Sequence, residues 1–576
     1  REKLEKVPKE YIRQMSLRES QAHGFLPMLF ENEENLYIRA QSLPEGNYAQ
    51  CGNLATRVPT NCRTQLKSTP FYREGCRVAP AVMDAQVIPK QEAKYGIIRN
   101  PIPTEDLKFA EITSDILYRP RRIRKCREWT LVEACNAIPH DASVGWGWKQ
   151  SRKELLIWNG EFYEPHNNLR EIVEKVYDLT GEGIIPLTAI QPCLKDETLK
   201  LQKIVDRATR TFQISRIEML VFGTMVLGDY MQVMHDNPIT TPSTVGCDPA
   251  SIEWHWLFAP LLQPFDRDDP EVFLVDLDYK SMEATVTWQL YQSYARHMTR
   301  FYQDAGLPSE KRRLAYLLMM CQSIQVVDRV AYIRNVGNPS GMKGTTDLNT
   351  YVAGIFAIYA YKKIFPAALP SDFVSTVKAR FNGDDTVLSV HPMVAQKYNF
   401  LTIEKELKKL NVVITPAQKN ALPTPFIDQL VVNFCKKQIL YSTELRHYVP
   451  FVTFETLLDQ LSYARDVTPA GLAQIINSAL QWSFFRGDRR QNGQIPENEP
   501  TFTEQREYFL QRLPRQEHYK IFDYEELLYR YEHGRSFPSE KNNLDERLNF
   551  GLLYKHADGS FGVRPADGLQ MTEIFN

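Results

Sequence analysis

The chain has 576 residues and is too long for one ordinary domain, so several packed subdomains are expected. Lys and Arg total 69 against 70 Asp and Glu, a net charge of −1, so bulk charge neither marks nor excludes a nucleic-acid partner and only local clusters can speak. Nine cysteines with no C-x-x-C pair point to reduced thiols and away from a zinc site; no apolar run approaches the ~18–20 residues that span a bilayer, and no signal peptide is evident.

The first residue is Arg1 rather than Met, so a processed product or a cut piece is expected. Residues 1–118 are mixed and punctuated by proline, without chemistry that can be named. The run RPRRIRKCR then gathers Arg119, Arg121, Arg122, Arg124, Lys125 and Arg127. Such a run reads as a solvated face or as a phosphate-facing surface. Residues 130–265 read as mixed α/β. VFLVDLD (272–278) reads as a buried strand ending in acid, 345–364 as a long apolar helix, and 376–390 as a hairpin. EKELKKL (404–410) has the charge mix of an exposed helix, and FVTFETLLDQLSYAR and LAQIINSALQWSFF, within 451–485, show helical periodicity. There is no internal repeat and no low-complexity tract.

Three stretches carry chemistry. In FNGDDTVLSV (381–390), Asn-Gly is a strong hairpin signal because both residues accept positive φ, and the turn presents Asp384 and Asp385 at its tip. Adjacent carboxylates repel unless a cation sits beside them; the plainer reading is a solvated turn. In VFLVDLDYKSMEATV, period-two alternation places Asp276 and Asp278 on one face of a strand, with Glu283 five positions after Asp278. An acid-ended strand beside an acid-ended hairpin gathers an all-oxygen site that suits hard Mg²⁺, and a pair of such ions serves an in-line phosphoryl displacement. In GNPSGMKGTTDLNTY, Gly337, Gly341 and Gly344 permit close backbone approach. Thr345 and Asn349 share a helix face, and Asp347 suits the first turn of that helix. The loop lacks the GxxxxGK[ST] pattern of a P-loop.

Taken in order, these motifs resemble those of the picornavirus-like viral RNA-dependent RNA polymerases. DYKSMEATV is similar to the first palm motif. SGMKGTTDLN carries the family's Ser340, Gly341, Thr345 and Asn349, and NGDD is similar to its Tyr-Gly-Asp-Asp hairpin. ITPAQKN places Lys419 where the family has a proposed general acid. NFCKKQ is similar to the primer-grip turn, with Phe434, Lys436 and Lys437. Upstream, LKDET and RATRTFQIS supply Lys195 and Arg210 for the triphosphate, ASVGWGW (142–148) resembles the loop that admits template, with Ser143 and Gly145, and VGCDP (245–249) resembles a segment before the palm. The resemblance covers about residues 140–440. The chain departs from the pattern at Glu283, where Asp is usual, at Asn382 in place of Tyr, and at Ala208 in place of Lys, with Arg207 as the neighbouring charge.

The resemblance implies an α+β right-hand fold of fingers, palm and thumb, with an antiparallel palm sheet flanked by helices. The expected division is 1–128 for an N-terminal extension and fingers, 129–265 for fingers, 266–292 for the first palm strand, 293–338 for a connection, 339–440 for palm, and 441–576 for thumb and C-terminal segment. It implies template-directed RNA synthesis from nucleoside triphosphates. Asp278, Asp384 and Asp385 would hold two Mg²⁺ ions (Mn²⁺ substituting) and Lys419 would act as the acid. Lys195 and Arg210 would face the phosphates, while Glu283, Ser340, Gly341, Thr345 and Asn349 form the nucleotide site. Ser143, Gly145, Lys436 and Lys437 would contact RNA. RNA template and primer, a viral polyprotein, a protein primer (VPg) and membrane-associated replication complexes in the host cytoplasm belong to the same implication. A catalytically inactive RNA-binding remnant and a reverse transcriptase are the competing readings. A cysteine protease built on Cys247 lacks a recognisably placed His.

Overall fold

The computed structural model describes residues 13–26, 49–50, 64–265, 271–327, 330–334, 336–418, 421–488, 496–534, 553–555 and 561–563. Its centre is a four-stranded antiparallel sheet in the order Val377–Asn382, Asp385–Val390, Phe273–Tyr279 and Ile414–Thr415. The strand segments are apolar and β-branched, so they fit a sheet buried on both faces. Thr345–Ile364 packs against the hairpin and against Thr104–Tyr118 and Phe400–Lys408. This helix is apolar all round and almost wholly buried, as expected for a helix enclosed by other elements. Buried tyrosines around it find partners for their hydroxyls: Tyr351 with Ser293 at 2.9 Å, and Tyr291 donating to the Gly337 carbonyl at 2.8 Å.

A second sheet runs Thr211–Ser215, Ala189–Leu194, Ser323–Val327, Val330–Arg334 and Ala49–Gln50. The helix Ile217–Asp236 leaves this sheet. Among the described residues it alone is long and apolar enough to cross a membrane by length and composition, contrary to the expectation that no run reaches that length. Most of it is buried inside the protein. At Gly223 a Cβ would meet the Tyr316 ring at 2.3 Å, and at Gly228 the Trp129 ring at 2.6 Å, so it is packed as a core helix.

The helices Phe454–Leu461, Pro469–Ser483, Phe502–Leu510 and Tyr524–His533 enclose a separate apolar core. The periodicity of 451–485 is realised there, except that Tyr463–Ala464 forms a short strand. That strand pairs with Lys67–Ser68. Next to it, the Thr69 amide donates to Ser462 O at 3.0 Å, Phe71 inserts into the core, and Arg77 Nε meets Asp459 Oδ2 at 2.6 Å. The same segment then pairs Val78–Pro80 with Thr198–Lys200. The stretch without nameable chemistry is thus a bridge between the C-terminal core and the LKDET region.

The basic run is largely spent on structure at two positions. Arg124 makes a fork to both oxygens of Asp229, at 2.8 and 2.7 Å, and Arg127 makes one to Glu133. EKELKKL is the end of the helix Phe400–Lys408, but it is only partly exposed, with Glu406 and Leu407 buried.

Candidate active site

The hairpin turn differs by one residue from its sequence reading. Asn382 and Asp385 are the paired positions that close it, so Gly383 and Asp384 are its two central residues. Gly383 has φ of 62°, whereas Asn382 and Asp384 keep negative φ. Glycine at the first central position is the requirement of a type II′ turn rather than the type I′ turn that Asn-Gly favours. Asn382 is instead fixed from the side, its Nδ2 donating to Thr244 Oγ1 at 3.1 Å, and the Gly383 amide donates to Thr350 Oγ1 at 2.8 Å. The tip is therefore held by the segment before VGCDP and by the long helix.

This turn brings Asp384 to Asp278 on the neighbouring strand, close enough for a carboxyl–carboxyl hydrogen bond. Asp384 is exposed at the turn tip, and reduced solvation and the charges of Asp385 and Asp278 push its pKa up to about 7. Asp385 is also pushed up, by reduced solvation and by Asp278, while hydrogen bonds from Cys435 oppose the shift. Asp276 lies on the same strand face, as alternation predicts, but its two oxygens are taken by the amides of Ala417 at 3.3 Å and Asn433 at 3.0 Å. It secures two neighbouring segments instead of facing the cleft. Among the described residues no group of three His, Cys, Asp or Glu side chains is arranged to hold a metal ion. Hard oxygen donors carrying uncompensated negative charge nonetheless fit a divalent cation.

The glycine-rich loop packs against the Thr211–Ser215 strand. Gly341 lies so close to it that a Cβ would be 1.4 Å from the Gln213 carbonyl oxygen. Ser340 Oγ accepts from the Gln213 amide at 3.2 Å, and Ser215 Oγ donates to the Gly341 carbonyl at 3.0 Å. Asn338 organises the rest. Its amide donates to the Glu283 carbonyl at 2.7 Å, and its Nδ2 donates to Thr345 O at 2.7 Å and Asn349 Oδ1 at 2.9 Å. Sequence reasoning missed Asn338; its place directly before Pro339-Ser340-Gly341 was the available signal. The Glu283 carboxylate does not meet Asn349; it is paired with Lys94. Burial works to raise its pKa, and Lys94 and Arg210 outweigh that, leaving it below the ordinary value.

On the opposite wall, Arg210 forms a fork with Glu197, Nε to Oε1 at 2.7 Å, and Lys195 Nζ lies 4.0 Å from the same carboxylate. The guanidinium is directed to Glu197, and the more distant Asp384 and Glu283 charges also favour its charged form. Arg207, the neighbouring charge, instead turns to Asp84 at 3.4 Å.

A family model described as viral RNA-dependent RNA polymerase matches residues 70–488. The chain belongs to that family. It is 29% identical over 402 residues to the RNA1 polyprotein of Tomato black ring virus (strain MJ), a match covering 64% of this chain and 17% of the polyprotein. It is 27% identical over 434 residues to the genome polyprotein of Rice tungro spherical virus (strain Vt6), covering 68% and 12% respectively. The chain therefore spans only a minor part of the length of these relatives. Among solved structures, a Sicinivirus 3Dpol RNA-dependent RNA polymerase superposes with a TM-score of 0.66 at 20% identity, over 83% of this chain and 97% of that one. That likeness shows the fold, the right-hand α+β architecture the motifs implied.

Cys435 and Lys436 both have positive φ, 50° and 61°, which turns the NFCKKQ loop sharply between Asn433–Phe434 and Lys437–Ser442. Lys436 is exposed and its charge acts on Asp385. Lys437 is turned away, donating to Cys435 O at 3.2 Å with its ammonium 4.6 Å over the Trp482 ring. Of the two lysines, Lys436 is the exposed one, and Lys437 is half-buried against Trp482. The Gly145 amide donates to Ser143 Oγ at 3.2 Å, and Gly145 is seated against Ser215 O, where a Cβ would be 2.5 Å away. Lys419 lies outside the described residues. Cys247 is partly buried; the backbone of His235 packs against Gly246, and its Nε2 lies 3.4 Å from Asp347 Oδ1.

Gly341→Ala is expected to displace the loop from Gln213 and reduce single-nucleotide incorporation on the order of 100-fold, because misplacement by about 1 Å costs that much. Rapid-quench incorporation beside a melting curve checks it.

Proposed function

We propose that this chain synthesises RNA on an RNA template, transferring a nucleotidyl group from a ribonucleoside triphosphate to an RNA 3′ end. The observation that carries this reading is the meeting of Asp278, Asp384 and Asp385 at one sheet edge, faced by Arg210 and by the Ser340–Asn349 loop and helix. In the reaction the 3′ oxygen bonds to the α-phosphorus as the bond to the leaving pyrophosphate breaks. Two divalent cations, Mg²⁺ or Mn²⁺, bound at the three acids would supply the charge that activates the 3′ hydroxyl and steadies the triphosphate.

The chain's own groups do the rest. Arg210 leaves Glu197 and takes the triphosphate in the same bidentate geometry, with Lys195 beside it. Ser340, Glu283 and Asn349 read the ribose 2′ hydroxyl, while Gly341 and Thr345 shape the floor of the nucleotide site. Lys436 meets a primer phosphate, and Ser143 and Gly145 guide template. Lys419 donates the proton that pyrophosphate needs on leaving. Template sequence is read by base pairing, so the protein needs only backbone and shape contacts. The match to viral polyproteins supports release from, or residence in, such a precursor, acting in host cytoplasm at membrane-associated replication complexes; a protein primer (VPg) is compatible with the open approach to Asp384.

Extension of oligo(A) on poly(U) with ATP and Mg²⁺ tests the reading, run with and without primer. No incorporation under either condition would favour an RNA-binding remnant, and preference for dATP a reverse transcriptase. Glu283→Ala or Asn349→Ala is expected to lower the preference for ATP over dATP by about tenfold or more, since a site built to bond a hydroxyl rejects its absence strongly. Unchanged ratios would remove these residues from ribose recognition.

A further inference from the structure

Lys94 lies in the proline-punctuated N-terminal stretch, on the single turn Ala93–Gly96, yet its ammonium group is part of the active-site wall. It is hydrogen-bonded and ion-paired to Glu283 Oε1, with side-chain exposures of 17% and 31%. Exposed ion pairs contribute little; this one is sheltered enough that removing a partner strands a charge.

The turn that carries Lys94 is clamped on three sides. Glu92 Oε1 accepts from Gln213 Nε2 at 2.8 Å, on the strand that also touches Ser340 and Gly341. The Tyr95 ring lies 4.3 Å beneath the Arg334 guanidinium. It also packs against Gly337, where a Cβ would come within 2.6 Å of the ring. The Lys94 backbone is thus registered to the strand behind the loop, to the loop's stem, and through Glu283 to the first acid motif. The other charged or titratable groups acting on Lys94 are Glu92 and Tyr95.

Glutamate at 283 has one more rotatable bond than aspartate, and fixing such a side chain has an entropic cost. Asn338 ties the Glu283 backbone to Asn349 but leaves the carboxylate unbound. Lys94 supplies the missing constraint.

We propose that Lys94 is a positioning residue for ribose selection, holding the Glu283 carboxylate where it and Asn349 read the 2′ hydroxyl. The proposal rests on Glu283 being a ribose sensor. Its test compares ATP and dATP incorporation on poly(U)–oligo(A) by the full chain with Mg²⁺, in wild type and in Lys94→Met, Lys94→Arg, Glu283→Gln and the Lys94→Met/Glu283→Gln double variant. Lys94→Met should reduce the ratio of kcat/KM for ATP over dATP by roughly three- to thirty-fold, mainly through the ATP term. Lys94→Arg should restore most of the ratio, and the double variant should match Glu283→Gln alone, because Lys94 acts through Glu283. Equal losses on both nucleotides with an unchanged ratio would overturn the proposal. So would a shift in Glu283→Gln without one in Lys94→Met, which would leave the ribose-sensor reading standing. If neither variant shifts the ratio, that reading falls and this inference with it. Should Lys94→Met fail to fold, Lys94→Gln takes its place under the same criteria.

Discussion

Asp384→Ala and Asp278→Ala should each lower nucleotide incorporation by about 10³-fold or more, a loss of the size seen when a group that stabilises transition-state charge is removed. The two carboxyls lie within hydrogen-bonding contact, and Asp385 adds a third charge at the same edge. Nothing in the surrounding protein neutralises the group fully, so the folded chain holds these acids at an electrostatic cost that a divalent cation removes. Taking away one carboxylate therefore removes cation binding and also relieves repulsion at the sheet edge. The melting temperature in EDTA should be equal to or higher than that of the wild type. Isothermal titration with Mn²⁺ and melting curves beside the incorporation assay check both halves. Retained activity in either purified variant would show that the acids are misassigned.

Phe71→Ala should cost about 3–5 kcal/mol in the C-terminal core, the usual range for emptying a buried phenylalanine site. Phe71 is only 1% exposed and packs edge-on against Phe509, with ring centroids 5.7 Å apart. It is also held in place by flanking backbone pairing, so the segment 67–80 joins that core to the strand preceding Arg210. The expected signature is an earlier thermal transition together with shorter products on a long template. Single-nucleotide incorporation should fall much less, because the acids and the loop around Gly341 lie elsewhere. Limited proteolysis should cut first near the bridge. A variant whose melting curve and product length both match wild type would show that the bridge carries no load.

The elements that were legible in the sequence share a local signal. The acid strand, the hairpin and the helix Thr345–Ile364 are each written in one continuous stretch, by alternation, by turn residues or by unbroken apolar character. Where the local signal was ambiguous, it slipped: the Asn-Gly pair marked a turn, but tertiary contacts to Thr244 and Thr350 moved the turn one residue on. The bridge and Lys94 were not legible. Two-residue strands such as Lys67–Ser68 have no period to detect, and their partners lie far away in the chain, 189 positions for Lys94 and Glu283 and 392 for Thr69 and Leu461. The basic run lies at the surface, as the solvated-face reading had it, with Arg119, Arg121, Arg122, Arg124, Lys125 and Arg127 all exposed; the pairing of Arg124 with Asp229, on a helix 105 positions away, left no local signal.

The fork between Arg210 and Glu197 has a consequence for anion choice. The cationic wall comes with a built-in rival, so an arriving ligand must out-compete a carboxylate already seated in good geometry. An anion with one or two charges gains little from that exchange, whereas a polyanion long enough to reach the acids as well gains at both ends. The cleft is in this way expected to grade ligands by charge and length together, favouring long polyanions over short phosphates.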